Sequence, residues 1–207
     1  MVRAAELQQL SSSLWLWQAF DPEVKADLFS TVVRTGEQLF VIDPILLERG
    51  AFEELDALGK VTGVLITNTN HLRAVKSFAQ KYGATVFAGA EVACELSGVE
   101  KFALRTDDQV AREFTCIPIA GAAPGETAYH FPADGGTMVV GDALINLEPY
   151  GFALLPEKYC SNQKEMRHSL RQLVDRPFER LLFAHGLPLL RSARTRLEML
   201  LRWDQSR

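Results

Sequence analysis

The sequence predicts a mixed α/β fold, and three features predict it. Residues 61–92 read in succession as strand, polar corner, helix and strand. Residues 15–43 carry short apolar runs separated by turn residues, the pattern of a meander. Two stretches near the C-terminus place apolar side chains at three- and four-residue spacing, the pattern of amphipathic helices.

Length and composition agree with one domain covering 1–207: the chain has 207 residues, 47% of them hydrophobic, enough to bury a substantial core. A net charge of −4 describes a mildly acidic surface and gives no reason to expect nucleic acid as a partner. Cys94, Cys116 and Cys160 are scattered, with no Cys-x-x-Cys or Cys/His cluster, so reduced thiols in a cytoplasmic protein are expected. The apolar patch Leu14-Trp15-Leu16-Trp17 is short and lacks a basic leader or a small-residue cleavage site, which argues against a signal peptide. No run approaches membrane-spanning length, so no membrane association is expected.

Taken in order, Trp15-Leu16-Trp17 is the first short strand. Residues 28–34 and 38–42 form a hairpin over Thr35-Gly36-Glu37, and Asp43-Pro44 ends it because proline cannot continue a central strand. Residues 53–58 are helical and stop at Gly59. Val64-Leu65-Ile66 has the length and composition of a buried strand, and Thr67-Asn68-Thr69-Asn70 is the corner that follows. From His71 onward Leu72, Val75, Phe78 and Ala79 fall at helical spacing, with Asn70 or Thr69 as cap and Gly83 as stop. Residues 84–87 form the next strand. The corner after a strand is where α/β units usually place their chemistry.

Residues 90–96 have helical composition, 102–104 suit an edge strand, and 114–119 suit another strand. Thr106-Asp107-Asp108 between them is read as a solvated turn, with a cation site as the alternative. Residues 127–131 and 137–140 form a hairpin over Asp134-Gly135-Gly136, and 147–156 read as irregular. Residues 163–173 form a helix with Met166, Leu170 and Leu173 inward and His168 facing solvent or a neighbouring helix. A strand at 180–183 leads into Ala184-His185-Gly186, and 192–203 form a terminal helix with Leu197, Leu200 and Leu201 inward. No tandem repeat, low-complexity tract or linker is visible.

Several corners resemble signatures of the metallo-β-lactamase superfamily. The corner after Ile66 is similar to a strand ending in threonine that leads into His-x-His-x-Asp-His at a helix N-terminus. Thr67 matches the threonine, Asn68 and Asn70 stand at the first two histidines, Leu72 at the aspartate and Arg73 at the last histidine, while His71 falls on an unspecified position. Gly121, Pro124 and Gly125 resemble the Gly-His-x-Pro-Gly turn, with Ala122 in place of its histidine. Gly141-Asp142 resembles the Gly-Asp that ends a strand, and His185-Gly186 resembles the closing His-Gly turn. The hairpin ending at Asp43-Pro44 resembles the opening hairpin; Asp43 is either a turn aspartate or a contact of the loop around Asn68. The resemblance spans about residues 28 to 190.

It implies a four-layer αβ/βα sandwich, two mixed sheets with helices outside, rather than one open doubly wound sheet. It also implies a pocket where Asn68, Asn70, His71, Arg73, Asp142 and His185 converge. Hydrolases of this superfamily hold two metals and a bridging hydroxide, and each metal needs about three protein ligands. Of the ligand positions that the resemblance supplies, only Asp142 and His185 keep a ligating type. Arg73 would bring a fixed positive charge near the second metal's place, either neutralised by Asp142 or solvated on the helix surface. The resulting expectation is no metal cofactor and a non-catalytic or ligand-binding relative of the hydrolases, with an unknown small molecule or protein as partner. The alternative is a hydrolase with a rebuilt site, one zinc or other divalent ion on His185, Asp142 and His71 with an asparagine. No substrate follows from either.

Overall fold

The computed structural model describes residues 2–203, which fall into two compact units, Met1–Ala103 and Leu104–Arg207. The first contains, in order, β1 (Arg3–Ala4), β2 (Gln8–Ser11), β3 (Leu14–Asp21), β4 (Ala26–Thr35), β5 (Gln38–Ile42), β6 (Leu46–Leu47), α1 (Arg49–Leu58), β7 (Lys60–Ile66), α2 (Val75–Tyr82), β8 (Thr85–Gly89), α3 (Ala90–Glu95) and β9 (Lys101–Leu104). Seven of these strands form one sheet in the order β2-β3-β4-β5-β7-β8-β9, so the strand at 102–104 is at an edge, as its composition suggested. β2 to β5 pair antiparallel, and β5, β7 and β8 pair parallel. β1 and β6 pair separately.

The apolar stripes of the helices close this sheet. Leu55 of α1 and Phe78 of α2 are completely buried, in one cluster with Val41, Val64 and Val86 of the strands. The Phe78 ring stacks on Trp17 at 6.0 Å and meets Phe52 at 5.5 Å. The indole of Trp17 would be costly to bury without a partner, and its Nε1 donates to the carbonyl of Ile45 at 3.1 Å.

The second unit contains β10 (Gln109–Val110), β11 (Phe114–Pro118), β12 (Thr127–Phe131), β13 (Thr137–Val140), β14 (Leu144–Leu147), β15 (Gly151–Leu154), α4 (Gln163–Val174), β16 (Arg180–Phe183) and α5 (Ala193–Trp203). Its main sheet has the order β10-β11-β12-β13-β16, antiparallel throughout except for the parallel β13–β16 pair. Met166, Leu170 and Leu173 of α4 and Leu197 and Leu201 of α5 share a buried cluster with Ile117, Val140, Leu181 and Phe183. The side chain of Asn162 caps α4 by accepting from the N–H of Glu165 at 3.2 Å. His168 on that helix is exposed.

Three local expectations are corrected. The helix after the 67–70 corner does not begin at His71: Thr69–His71 is a single 3₁₀ turn and α2 begins at Val75. The reason is that the Ala74 N–H donates to the carbonyl of Pro44, outside the helix. Neither Thr69 nor Asn70 caps α2, whose N-cap is Ala74 without a side-chain bond; Asn68 caps the 3₁₀ turn, its side chain accepting from the Asn70 N–H at 2.9 Å. Residues 147–156 are not irregular throughout, since β14 and β15 pair as an antiparallel hairpin there. Gly83 does end α2, in a left-handed conformation with φ 62°.

The polar loop at 106–108 is a turn: Asp107 pairs with Arg176, and Asp108 accepts from the main chain of Arg105. All three cysteines are free thiols, and burial pushes the thiol of Cys116 up to about 12. Among the described residues no helix is long and apolar enough to cross a membrane.

Candidate functional site

In the first unit the parallel pairing of β5 with β7 sets Ile42 beside Leu65, and the Asp43 N–H continues the ladder by donating to the Leu65 carbonyl at 3.0 Å. The two strands therefore end together, and the carboxylate of Asp43 lies against Thr67. Both residues are buried. Oδ1 of Asp43 accepts from the Thr67 N–H at 2.9 Å, and Oδ2 accepts from the Thr67 hydroxyl at 2.5 Å. Oδ2 is also 3.0 Å from Nδ1 of His71, and that nitrogen is 2.7 Å from the Thr67 oxygen. His71 itself is 1% exposed.

These bonds assign the protons. An ionised carboxylate only accepts, so the one hydroxyl hydrogen of Thr67 goes to Asp43. Thr67 then meets His71 as an acceptor, so a ring hydrogen is on Nδ1.

Asp43 is held from behind as well. Its backbone is left-handed, φ 49°, which is unusual for a residue with a side chain. The Ser30 hydroxyl donates to its carbonyl at 2.7 Å and accepts from the Ile45 N–H at 2.8 Å. Nη1 of Arg73 donates to the carbonyls of Phe29 at 3.0 Å and Asp43 at 3.4 Å. Arg73 is thus half-buried on main-chain oxygens rather than solvated on the helix surface. Asn68 is buried with its Oδ1 committed to the Asn70 N–H, and Asn70 is exposed.

In the second unit β13 and β16 run parallel with Val140 opposite Phe183. The corners that follow them are consequently neighbours at the same end of the sheet, the position where parallel strands present functional groups. Asp142 and His185 occupy those corners, with Oδ1 of Asp142 3.4 Å from Nε2 of His185. Their side chains are 12% and 18% exposed, partly open to solvent. Gly186 allows the chain to leave: its φ is 103°, and a Cβ there would collide with the Asn146 carbonyl.

Glu126 was not singled out from the sequence. It is buried, and its Oε1 accepts from the N–H of Ala143, fixing the loop that carries Asp142. A carboxylate directly after the Pro124-Gly125 turn was the available signal. Ala122 is in the apolar cluster of this unit, 1% exposed.

The donor chemistry of each unit can be tested against a two-metal centre, and it does not fit. Asn68 already uses its amide oxygen internally, Ala122 has no donor atom, and Arg73 is a permanent cation. Neutral amides also suit hard cations better than zinc. One divalent ion makes a smaller demand. Asp142 and His185 are ligating types, already close together and accessible, and the sequence places both at ligand positions.

A family description, the metallo-beta-lactamase superfamily, matches residues 8–202. No curated protein sequence matches the chain. Among solved structures it is similar to the DIM-1 metallo-beta-lactamase, with TM-score 0.74 and 11% identity over 98% of this chain and 100% of that one. A metallo-beta-lactamase from Pontibacter korlensis gives TM-score 0.72 and 16% identity over 95% of this chain and 98% of the other. A metallo-beta-lactamase family protein from Thermus thermophilus gives TM-score 0.69 and 20% identity, covering 96% of this chain and 81% of that one. At such identities the likeness establishes the fold, the αβ/βα sandwich expected from the sequence, and leaves the chemistry to the residues present.

Proposed function

Because this chain belongs to the metallo-β-lactamase superfamily, we propose that it is a hydrolase-type member reduced from two metals to one divalent ion, with Asp142 and His185 among the ligands. The observation that carries this reading is the 3.4 Å approach of Asp142 to His185 at neighbouring strand ends. When bound, such an ion polarises a carbonyl or phosphoryl oxygen and acidifies a water. The chain's own residues do the rest. Glu126 holds the Asp142 loop through the Ala143 N–H, and the carboxylate and imidazole face each other ready to share a cation. The reacting partner on this reading is a small molecule, since a net charge of −4 offers no electrostatic footing for nucleic acid. Free thiols support a reducing, cytoplasmic setting.

A second reading is a metal-free protein that binds a small molecule. Arg73 favours it, because a guanidinium on the Asp43 carbonyl supplies a fixed positive charge without any ion. Calorimetric titration of chelator-treated protein with zinc separates the two. The one-metal reading expects saturation near one equivalent, with uptake lost in both Asp142→Ala and His185→Ala. Absence of uptake by the unaltered chain establishes the metal-free reading instead.

A further inference from the structure

We propose that a groove along α5 binds an amphipathic anion, a small molecule with an apolar chain and a carboxylate or phosphate head. The head meets Arg196, and the chain lies on Phe152, Met199 and Leu200. None of these residues takes part in the metal reading, and the site stands without it. The groove has a volume of about 630 Å³ and is lined by Phe152 of β15 and by Arg196, Met199, Leu200 and Arg202 of α5. That volume is within the roughly 300–1,000 Å³ of small-molecule sites. Met199 and Leu200 follow Arg196 by three and four positions, so the three share one face of the helix. Phe152 stands beside that face: the guanidinium carbon of Arg196 is 5.7 Å from its ring centroid, and the ring meets Phe183 at 5.8 Å. The inward side of α5, Leu197 and Leu201, is already in the core, whereas Met199 is 65% exposed, a large apolar side chain left to water.

Charge decides what covers this face. Between residues 163 and 202 Lys and Arg outnumber Asp and Glu nine to four, although the whole chain is acidic, so the stretch that holds α4 and α5 attracts anions. The two cations of the groove differ. Arg202 pairs with Glu198 one turn back and sits in the last turn of α5, where the helix dipole disfavours an anion. Arg196 is exposed, pairs with no carboxylate among the described residues and lies in the first half of the helix. A guanidinium fork fits a carboxylate or a phosphate through two parallel bonds, so the head belongs at Arg196. The apolar stem of Arg202 lines the groove beside the chain. A second copy docked face to face would bring two basic faces together, which disfavours that occupant.

Decanoate below its micelle concentration is the probe, with decyl phosphate as the second head group and decanol as the uncharged control. In proton–nitrogen spectra of labelled full-length protein, one or both anions are expected to bind saturably and to shift the signals of Phe152, Arg196, Met199 and Leu200. The tighter of the two identifies the head group. Arg196→Gln, at an exposed position, is expected to weaken binding by about tenfold or more, the loss of a hydrogen bond to a charged group. Arg171→Gln, at an exposed position of α4, is expected to leave it unchanged. Unchanged affinity in Arg196→Gln, equal affinity for decanol, shifts confined to other residues, or no saturable binding of either anion overturns the proposal. So does sedimentation with phosphatidylglycerol vesicles without binding of either free anion, which assigns the basic face to a membrane surface instead.

Discussion

At the scale of single residues, the first unit concentrates its buried polar atoms on Asp43, and this has a measurable consequence. Thr67→Val removes the hydroxyl that donates to Oδ2, leaving a buried carboxylate oxygen short of a donor. The expected loss is about 1–3 kcal/mol in urea unfolding; a loss below about 0.5 kcal/mol, the ordinary spread of surface substitutions, contradicts the network. His130 supplies a pH dependence. Burial lowers its pKa from 6.5, and the charge of Arg176 acts the same way, while the hydrogen bond from Nε2 to the Pro177 carbonyl at 2.8 Å opposes them. Below the unfolded value the unfolded chain binds more protons than the folded one. Stability is therefore complete above pH 6.5 and is lost as pH falls through that value toward the lowered folded one. The unaltered chain should lose more stability than His130→Gln between pH 7 and 5, and equal losses would contradict the assignment. Asp142 and His185 were legible in the sequence through the resemblance, which sets Gly141-Asp142 and His185-Gly186 at two of the superfamily's corners. Ser30 was not: it sits within an apolar strand, and its role depends on a carbonyl thirteen positions away that only sheet pairing brings near.

At the scale of elements, the strands and helices were largely readable, and the misses share one physical origin. Apolar runs report burial, so β5, β12, β13 and β16 were found with bounds close to those observed, while of β7 only its last three residues were read as strand. The β14–β15 hairpin was missed because residues 148–150 form an exposed turn and the strand behind it is only half-buried, so neither alternation nor a continuous apolar run marks it. The start of α2 was misplaced because helical spacing continues through residues whose backbone is claimed elsewhere, as the Ala74–Pro44 bond shows. Where α2 does pack, the cost of disruption is large. Phe78 is fully buried between Trp17 and Phe52, and Phe78→Ala should destabilise the chain by about 3–5 kcal/mol. A loss under about 1 kcal/mol would mean the site can collapse around the missing ring, contrary to a close-packed cluster.

At the scale of the whole molecule, the chain divides into two compact units, yet the superfamily match runs through both, from residue 8 to 202. We therefore expect one domain in the thermodynamic sense: a single unfolding transition, coincident by far-UV and near-UV circular dichroism. Two separated transitions would contradict that. The central claim concerns metal. Its scaffold signature was readable in the sequence at Thr67, Gly121, Pro124, Gly125, Asp142 and His185, whereas the Asp43–Thr67–His71 cluster became visible only once β5 and β7 were paired. On the reading proposed above, Asn68, Arg73 and Ala122 stand where the resemblance sets ligands and argue against a metal pair, while Asp142 and His185 favour a single ion. The most direct test is elemental analysis of the chain after saturation with zinc and removal of unbound metal. The result predicted is close to one equivalent per chain; two equivalents would contradict the account, and so would none.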